Sequence, residues 1–213
     1  MATPQQHRRG IDDVTVLAYV QGMVQTMSQT DAVLIVDVQN DFCPGGALAI
    51  EEGDRVIPVL NEWLRRAAST GAYIVASRDW HPADHCSFTD QGGTWPPHCI
   101  RETPGAAFHP ALALPNDAWI ISKGAAQERD NYSAFDGTAL ADQLREAGVE
   151  RLWVGGLAQD VCVKWTVLDA CREGFDTHVI ADATRPVNLE PNDGDKAIEA
   201  MRAAGARIEA DTA

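Results

Sequence analysis

Short apolar runs alternate with helical patterns from residue 31 to the end of the chain, and this alternation is the strongest constraint on the fold. The runs are rich in Val, Ile and aromatic residues, and each has a length suited to a buried strand. The sequence predicts strands at Ala32–Val36, Tyr73–Ala76, Trp119–Ser122, Leu152–Val154, His178–Ala181 and, from a weaker pattern, around Ile208.

Amphipathic helical patterns separate the predicted strands. The first pattern has Asp54 as its predicted N-cap, Gly71 as its C-terminal stop, and an apolar face made of Ile57, Leu60, Leu64 and Ala67. Further helices are predicted at Ala139–Ala147, from about Asp160 to Glu173, and at Lys196–Ala204. Repeated strand–helix–strand units specify a parallel sheet with helices on both faces. We therefore predict an α/β fold, a three-layer α/β/α sandwich.

The length and composition fit a single domain. A chain of 213 residues with 45% hydrophobic content can bury one substantial core, and no Pro/Gly/Ser-rich linker divides it. We assign the domain to residues 31–213 and treat residues 1–30 as an N-terminal extension. After a potential cap at Asp12 and Asp13, the extension has apolar residues at the spacing of a short amphipathic helix: Val16, Val20, Met23 and Met27.

Other interpretations of the extension stay open. It could be partly disordered, or it could be upstream sequence that precedes a start at Met27. As a helix it is expected to pack on the domain or on a partner subunit, so a homo-oligomer is one predicted arrangement.

Charge and cysteine usage limit the classes of partner. The chain has 17 basic and 31 acidic residues, a net charge of −14, which repels phosphate backbones and anionic membrane surfaces. We therefore predict no nucleic-acid and no membrane partner. The five cysteines are odd in number and scattered, unlike a disulfide framework. This usage predicts a reducing, cytoplasmic compartment.

Polar residues follow four of the predicted strands. Asp37 follows the first, Asp79 the second and Lys123 the third, and the segment GLAQDVC follows the fourth. In a parallel sheet the carboxyl ends of the strands meet at one edge, which is where such folds bind ligands. The sequence therefore predicts that an acid, a metal ligand, a base and a thiol meet there.

A carboxylate and three imidazoles lie close together in the stretch that follows the second strand. A set of one Asp and three His suits zinc, iron or manganese and leaves coordination positions open for water or substrate. An alternative is a structural zinc that uses Cys86 and Cys99, but neither cysteine has the C-x₂-C spacing typical of such sites. We predict one divalent metal ion, with zinc favoured, bound by Asp79, His81, His85 and His98.

Cys162 is the predicted nucleophile. It begins a predicted helix directly after a strand, where free backbone N–H groups and the helix dipole favour a thiolate. A thiol still needs a proton acceptor or a cation beside it, and Asp37 and Lys123 can supply these. Cys171 projects from the opposite side of the same helix. Cys43 lies in a loop near Asp37 and is treated as a bystander without being excluded.

Five segments together resemble the nicotinamidases, a family of the isochorismatase-like cysteine hydrolases. They are VDVQNDFCPGG at 36–46, RDWHPADHCSF at 78–88, WPPHC at 95–99, SKG at 122–124 and GLAQDVCV at 156–163. The resemblance extends over about residues 31–210. VDVQNDF marks only the superfamily, and the metal-binding set with WPPHC narrows the resemblance to nicotinamidases. It implies a six-stranded parallel sheet in the order 3-2-1-4-5-6.

The resemblance also implies a chemistry. Asp37, Lys123 and Cys162 would form a catalytic triad, and the backbone N–H groups of Ala158 and Cys162 would form an oxyanion hole shaped by a cis peptide at Leu157–Ala158. The expected reaction converts nicotinamide to nicotinate and ammonia through a thioester on Cys162, in the salvage of NAD, and extends to pyrazinamide. The metal would coordinate the pyridine nitrogen and orient the ring.

The resemblance further predicts the substrate pocket. Phe42, Trp95 and Tyr132 would flank the ring, and Gln39 would support the triad from behind. Gln159 departs from the pattern, because relatives commonly have Thr there, and this puts hydrogen bonding behind the oxyanion hole in doubt. Two alternatives stay open: another amidase of the superfamily that acts on a carbamoyl or ureido substrate, and a non-enzymatic binding module.

Overall fold

The computed structural model describes residues 26–209. Most of the helix predicted in the extension lies outside the described residues. Met27 lies within them and is not helical: it is in irregular backbone and packs against one of the two apolar clusters of the core. The helix prediction is therefore wrong at this last position, where contact with the core replaces a helical turn.

A parallel sheet of six strands forms the centre of the described part. The strands are β1 (Asp31–Val36), β2 (Tyr73–Asp79), β3 (Trp119–Lys123), β4 (Arg151–Leu157), β5 (Asp176–Arg185) and β6 (Arg207–Glu209). Their order is β3-β2-β1-β4-β5-β6, and every neighbouring pair is parallel. The predicted fold class, strand number and strand order are confirmed.

Within residues 26–209, four α-helices cover the two faces of the sheet. They are α1 (Val56–Thr70), α2 (Leu140–Glu146), α3 (Lys164–Arg172) and α4 (Asp193–Ala203). Alternate residues of β1 point to opposite faces, so Val33 and Ile35 pack with α1, whereas Ala32, Leu34 and Val36 pack with α2, α3 and α4. The three layers follow from this alternation.

Three helix starts differ from the sequence prediction. Asp54 does not cap α1, because it lies inside a 3₁₀ turn at Gly53–Arg55 that precedes the helix. The predicted helix from Asp160 begins as a π-helical turn, Gln159–Val163. The last helix begins at Asp193, before the predicted Lys196, because Asp193 and Asp195 suit the positive end of a helix dipole although PNDGD reads as a loop.

The five cysteines, at positions 43, 86, 99, 162 and 171, are free. Across residues 26–209, no helix has both the length and the apolar character needed to cross a membrane.

Gly156 allows the backbones of β1 and β4 to approach each other closely. It pairs in register with Val36, its φ is 129°, and a Cβ at this position would lie 2.0 Å from the Val36 carbonyl oxygen. We expect Gly156→Ala to lower the free energy of unfolding by more than about 4 kcal/mol, because backbone rather than a flexible side chain blocks the added atom. Chemical denaturation measures the loss.

Gly148→Ala is the matched control for this substitution. Gly148 also has a positive φ, 74°, but no atom lies within 4 Å of the added Cβ. Its loss is expected to be about 1–2 kcal/mol, the cost of a left-handed alanine. Equal losses for the two variants would show that backbone conformation, and not the close approach to Val36, is what requires glycine.

Candidate active site

The carboxyl ends of β1 to β4 bring the predicted catalytic residues together. Asp37 directly follows β1, Asp79 ends β2 and Lys123 ends β3. Asp79 and Lys123 are paired in register across the two strands. Cys162 lies in the π-helical turn that follows β4. The sheet thus gathers residues that are far apart in sequence, and all four are buried.

The Lys123 ammonium lies at the centre of this group. Its Nζ is 2.8 Å from Asp37 Oδ2 and 2.5 Å from Asp79 Oδ1, and it contacts Cys162 Sγ at 3.4 Å. Burial opposes the charge on Lys123, but the carboxylates of Asp37 and Asp79 raise its pKa well above the usual range. Lys123 is therefore a fixed cation that links two acids to a thiol.

Burial shapes the proton affinities of the other two triad residues. It raises the pKa of Asp37, and the Lys123 ammonium opposes this rise. Burial also raises the pKa of the Cys162 thiol well above its usual value, again against the effect of Lys123. The thiol is the resting form, so helix position alone does not produce the predicted thiolate and a base must remove the proton.

The turn after β4 presents backbone donors next to the thiol. The peptide bond between Leu157 and Ala158 is cis, as the resemblance implies. The Ala158 carbonyl accepts hydrogen bonds from the N–H groups of Val161 and Val163, and these bonds close the turn around Cys162. Ala158 and Cys162, whose N–H groups are the predicted oxyanion hole, both line the same cavity.

Asp79, His81 and His98 form a three-residue group that could hold a metal ion. One ligand atom from each lies within 4.8 Å of the others, and all three side chains are buried. The Asp79 Oδ2 atom is 3.6 Å from His81 Nε2 and 3.9 Å from His98 Nε2. Burial opposes ionisation of Asp79, but Lys123 and the two imidazoles hold its pKa well below the usual range.

Backbone carbonyls orient both imidazoles of this group. His81 Nδ1 lies 2.9 Å from the Gly124 carbonyl oxygen, and His98 Nδ1 lies 2.8 Å from that of Pro96. A carbonyl only accepts hydrogen bonds, so each Nδ1 carries the proton and each Nε2 offers a lone pair toward Asp79. One carboxylate and two such imidazoles fit a divalent transition-metal ion.

His85, the fourth predicted ligand, is placed differently. Its ring lies 4.1 Å from the His81 ring between centroids, but its nitrogens are not among the converging ligand atoms. Nδ1 contacts Ser87 Oγ at 2.7 Å, and Nε2 contacts the Arg129 carbonyl oxygen at 3.0 Å. His85 therefore lies beside the group, and its role as a ligand stays a prediction.

A cavity opens between the Cys162 thiol and the group formed by Asp79, His81 and His98. Its empty volume, counted together with open solvent at its mouth, is about 420 Å³. Phe42, Trp95 and Tyr132, the predicted ring-binding residues, all line it, together with Cys162 and Ala158. Trp95 Nε1 donates a hydrogen bond to Tyr132 Oη at 3.1 Å, which joins two walls of the cavity. Burial raises the pKa of Tyr132 to about 12, so its hydroxyl stays protonated.

Gln39 lies behind the site and does not line the cavity. Its Oε1 accepts the Asp79 N–H at 2.8 Å, and its Nε2 donates to the carbonyl oxygens of Asp79 at 2.8 Å and Ala106 at 2.9 Å. These contacts are to the backbone of Asp79 and Ala106, so the role predicted for Gln39 in supporting the triad stays a prediction.

Sequence reasoning missed two buried polar residues. Ser77 Oγ donates to Asp37 Oδ1 at 2.7 Å, and Asp160 accepts the N–H groups of Val187 and Asn188, each at 2.8 Å. Val187 lines the cavity, so Asp160 ties a cavity wall to the turn that contains Cys162. Ser77 is a polar residue within the run that forms β2, and this was a sequence signal for a buried contact. No local sequence feature indicated that Asp160 binds the backbone of Val187 and Asn188.

The Gln159 side chain contacts a neighbouring helix. Its Nε2 donates to the Gly194 carbonyl oxygen at 2.9 Å, in the first turn of α4. Gln159, the residue that departs from the family pattern, therefore joins the turn that contains Cys162 to α4.

The isochorismatase domain pattern matches residues 31–211 of the sequence. The chain belongs to the isochorismatase family. Among family members, an *Escherichia coli* nicotinamidase is 42% identical over 198 residues, which cover 83% of this chain and 93% of the relative.

Solved structures of the family are similar over the same part of the chain. A pyrazinamidase of *Pyrococcus horikoshii* in complex with zinc has a TM-score of 0.82 and 45% identity, and the match covers 85% of this chain and 99% of that one. PnC1 of *L. infantum* in complex with nicotinate has a TM-score of 0.80 and 36% identity, over 88% of this chain and 96% of that one.

The contacts of Asp160 give a testable prediction. In Asp160→Asn an amide replaces the carboxylate, and only its oxygen can accept one of the two N–H groups. The other N–H, which is only partly buried, then loses its partner, which lowers the free energy of unfolding by about 1 kcal/mol. Denaturant titration measures the change, with Asp117→Asn on an exposed loop as the control. An unchanged stability of Asp160→Asn would contradict this role.

Proposed function

We propose that the protein hydrolyses nicotinamide to nicotinate and ammonia, with Cys162 as the covalent nucleophile. The observation that carries this proposal is the Lys123 ammonium, in contact with both Asp37 and Cys162 Sγ at the base of an aromatic-walled cavity. The similarity to nicotinamidases over most of the chain supports the choice of substrate. Pyrazinamide, which has the same carboxamide on a related ring, is proposed as a second substrate.

The first half of the reaction acylates the thiol. Asp37 removes the proton from Cys162 Sγ as the sulfur attacks the carboxamide carbon, because burial makes the thiol neutral at rest. The former carbonyl oxygen becomes an oxyanion, which accepts hydrogen bonds from the N–H groups of Ala158 and Cys162. Lys123 stays charged and offsets the negative charge that develops beside it.

Acylation is complete when ammonia leaves. The proton on Asp37 passes to the amide nitrogen, the C–N bond breaks and ammonia leaves, so that the acyl group is held as a thioester on Cys162.

The second half of the reaction hydrolyses the thioester and releases the acid. Asp37, again ionised, removes a proton from a water molecule that attacks the thioester carbon. The C–S bond then breaks, the proton on Asp37 returns to Cys162, and the carboxylic acid leaves and loses its remaining proton to solvent to become nicotinate.

We propose that Asp79, His81 and His98 hold one divalent metal ion, with His85 as a fourth ligand if its ring turns from the Arg129 carbonyl. Zinc is favoured by the imidazole and carboxylate ligands, and iron or manganese would also suit them. When bound, the metal supplies a Lewis-acid site for the pyridine nitrogen and orients the ring. The protein's own contribution is to fix the two Nε2 atoms and to exclude water with Phe42 and Trp95.

An amidase that acts on a carbamoyl or ureido group is the alternative. It would use the same triad, but it would have no need for two oriented imidazoles at the other end of the cavity. His81 and His98 therefore favour a ring with a nitrogen ligand. A binding module without catalysis would not require the base, cation and thiol to be in contact.

Cell compartment and assembly remain proposals. Free cysteines throughout fit a reducing, cytoplasmic environment. Homo-oligomerisation through the N-terminal extension stays a prediction.

We predict that Cys162→Ala reduces ammonia release from nicotinamide to less than about one hundredth of the original rate, because no other group can form the thioester. Metal content and thermal stability should stay close to the original values. Cys171→Ala on the same helix is the matched control and should keep full activity. Retention of more than a few per cent of the activity by Cys162→Ala would exclude the covalent role.

Benzamide tests the proposed function of the metal. It has the carboxamide of nicotinamide on a ring without nitrogen, so it keeps the aromatic and oxyanion contacts and loses the bond to the metal. We expect kcat/KM to fall by on the order of 10²-fold or more in the metal-loaded enzyme. Chelation should reduce this preference by weakening nicotinamide hydrolysis. Equal kcat/KM values for the two amides with metal present would indicate that the metal does not bind the ring.

A further inference from the structure

Asp41 is an acidic residue close to the candidate active site. The proposed reaction gives Asp41 no role. It lies in the 3₁₀ turn Asn40–Phe42 that follows β1, four residues after Asp37. Its Oδ2 accepts the backbone N–H of Cys99 at 2.7 Å, and its Oδ1 accepts that of Ala47 at 3.1 Å. It has no ion-pair partner within residues 26–209, so its charge is directed at backbone donors, whose hydrogen bonds to a carboxylate are strong.

Cys99 has an unusual backbone conformation. Its φ is 45°, in the left-handed region, although it is not glycine and is fully buried. Such a conformation persists only where surrounding contacts hold it. Its N–H is held by Asp41, and its carbonyl oxygen accepts the N–H of His81 at 3.1 Å. Cys99 therefore connects the loop that contains His98 to the segment that contains His81.

Gly105 closes the other side of the Asp41 carboxylate. A Cβ on Gly105 would lie 2.2 Å from Asp41 Oδ2 and 2.4 Å from Oδ1. The backbone of the Pro104–Ala106 turn thus packs directly on the carboxylate and limits its movement. Phe42, the next residue in the Asp41 turn, has its ring 5.5 Å from the His98 ring. The same turn therefore contacts the His98 loop through a carboxylate and through a ring.

We infer that Asp41 is a positioning residue for the metal site: its carboxylate holds Cys99 in the left-handed conformation and thereby directs His98 Nε2 toward Asp79 and His81. The inference rests on the metal-binding part of the proposed function and deepens it. Loss of the Cys99 contact would free the loop between Trp95 and Cys99, so that one of the three ligands is no longer preorganised.

The test is the dissociation constant for zinc, measured by competition with a chromophoric chelator on the purified full chain. We expect Asp41→Asn, which keeps only one acceptor oxygen, to raise the constant by about 10-fold, and Asp41→Ala to raise it by up to about 100-fold, the usual range for residues that orient metal ligands. Gly105→Ala displaces the same carboxylate from its other side and should weaken zinc binding in the same direction.

Asn40→Ala is the matched control. Asn40 Nδ2 donates to the Pro104 carbonyl oxygen at 2.8 Å, so this variant removes a hydrogen bond from the same turn without touching Cys99. It should lower the melting temperature and leave the zinc constant within about twofold of the original. A role of Asp41 in stability alone would give Asp41→Asn the same behaviour as this control. In turnover, Asp41→Asn should raise KM for nicotinamide more than it lowers kcat.

Two results would overturn the inference, and they are distinguishable. Zinc binding by Asp41→Asn and Gly105→Ala at the original affinity would refute the positioning role and leave the proposed metal site intact. Failure of the unsubstituted protein to bind zinc, iron or manganese would refute the metal site and the inference together. If Asp41→Ala does not fold, Asp41→Asn and Gly105→Ala still decide the outcome.

Discussion

One buried ammonium holds the site together. The ammonium of Lys123 contacts the carboxylates of both Asp37 and Asp79, and it also contacts Cys162 Sγ. Two buried carboxylates without this cation would face a large desolvation penalty, and breaking such a buried pair costs about 3–5 kcal/mol. The charge of Lys123 therefore stabilises the local fold as well as serving the proposed chemistry.

The sheet edge could be predicted from sequence because it depends on a short-range pattern. Apolar runs of strand length give the strands, and the residue after each run must lie at the common edge, which placed Asp37, Asp79 and Lys123 correctly. The length of β5 was underestimated, since it runs to Arg185 through polar residues that break the apolar pattern.

Contacts between distant loops could not be predicted in the same way. Asp160 binds the backbone of Val187 and Asn188, and Gln39 binds that of Asp79, and neither pairing has a local signal. The four predicted metal ligands were chosen by residue type. The structure brings Asp79, His81 and His98 together, whereas the Arg129 carbonyl and Ser87 contact the two nitrogens of His85. Residue type thus indicates the chemistry, and tertiary contacts decide which atoms converge.

Lys123 and Gly124 serve the two parts of the site through consecutive residues. The Lys123 side chain contacts Asp37 and Cys162, while the Gly124 carbonyl orients His81, and a Cβ on Gly124 would lie 2.4 Å from the His81 ring. A shift of the backbone at the end of β3 would therefore move two groups together: the ammonium that contacts the Cys162 thiol and the carbonyl that orients the His81 imidazole. Any redesign of the proposed metal or ring specificity should therefore leave this dipeptide unchanged, because a substitution at either residue acts on both parts of the site.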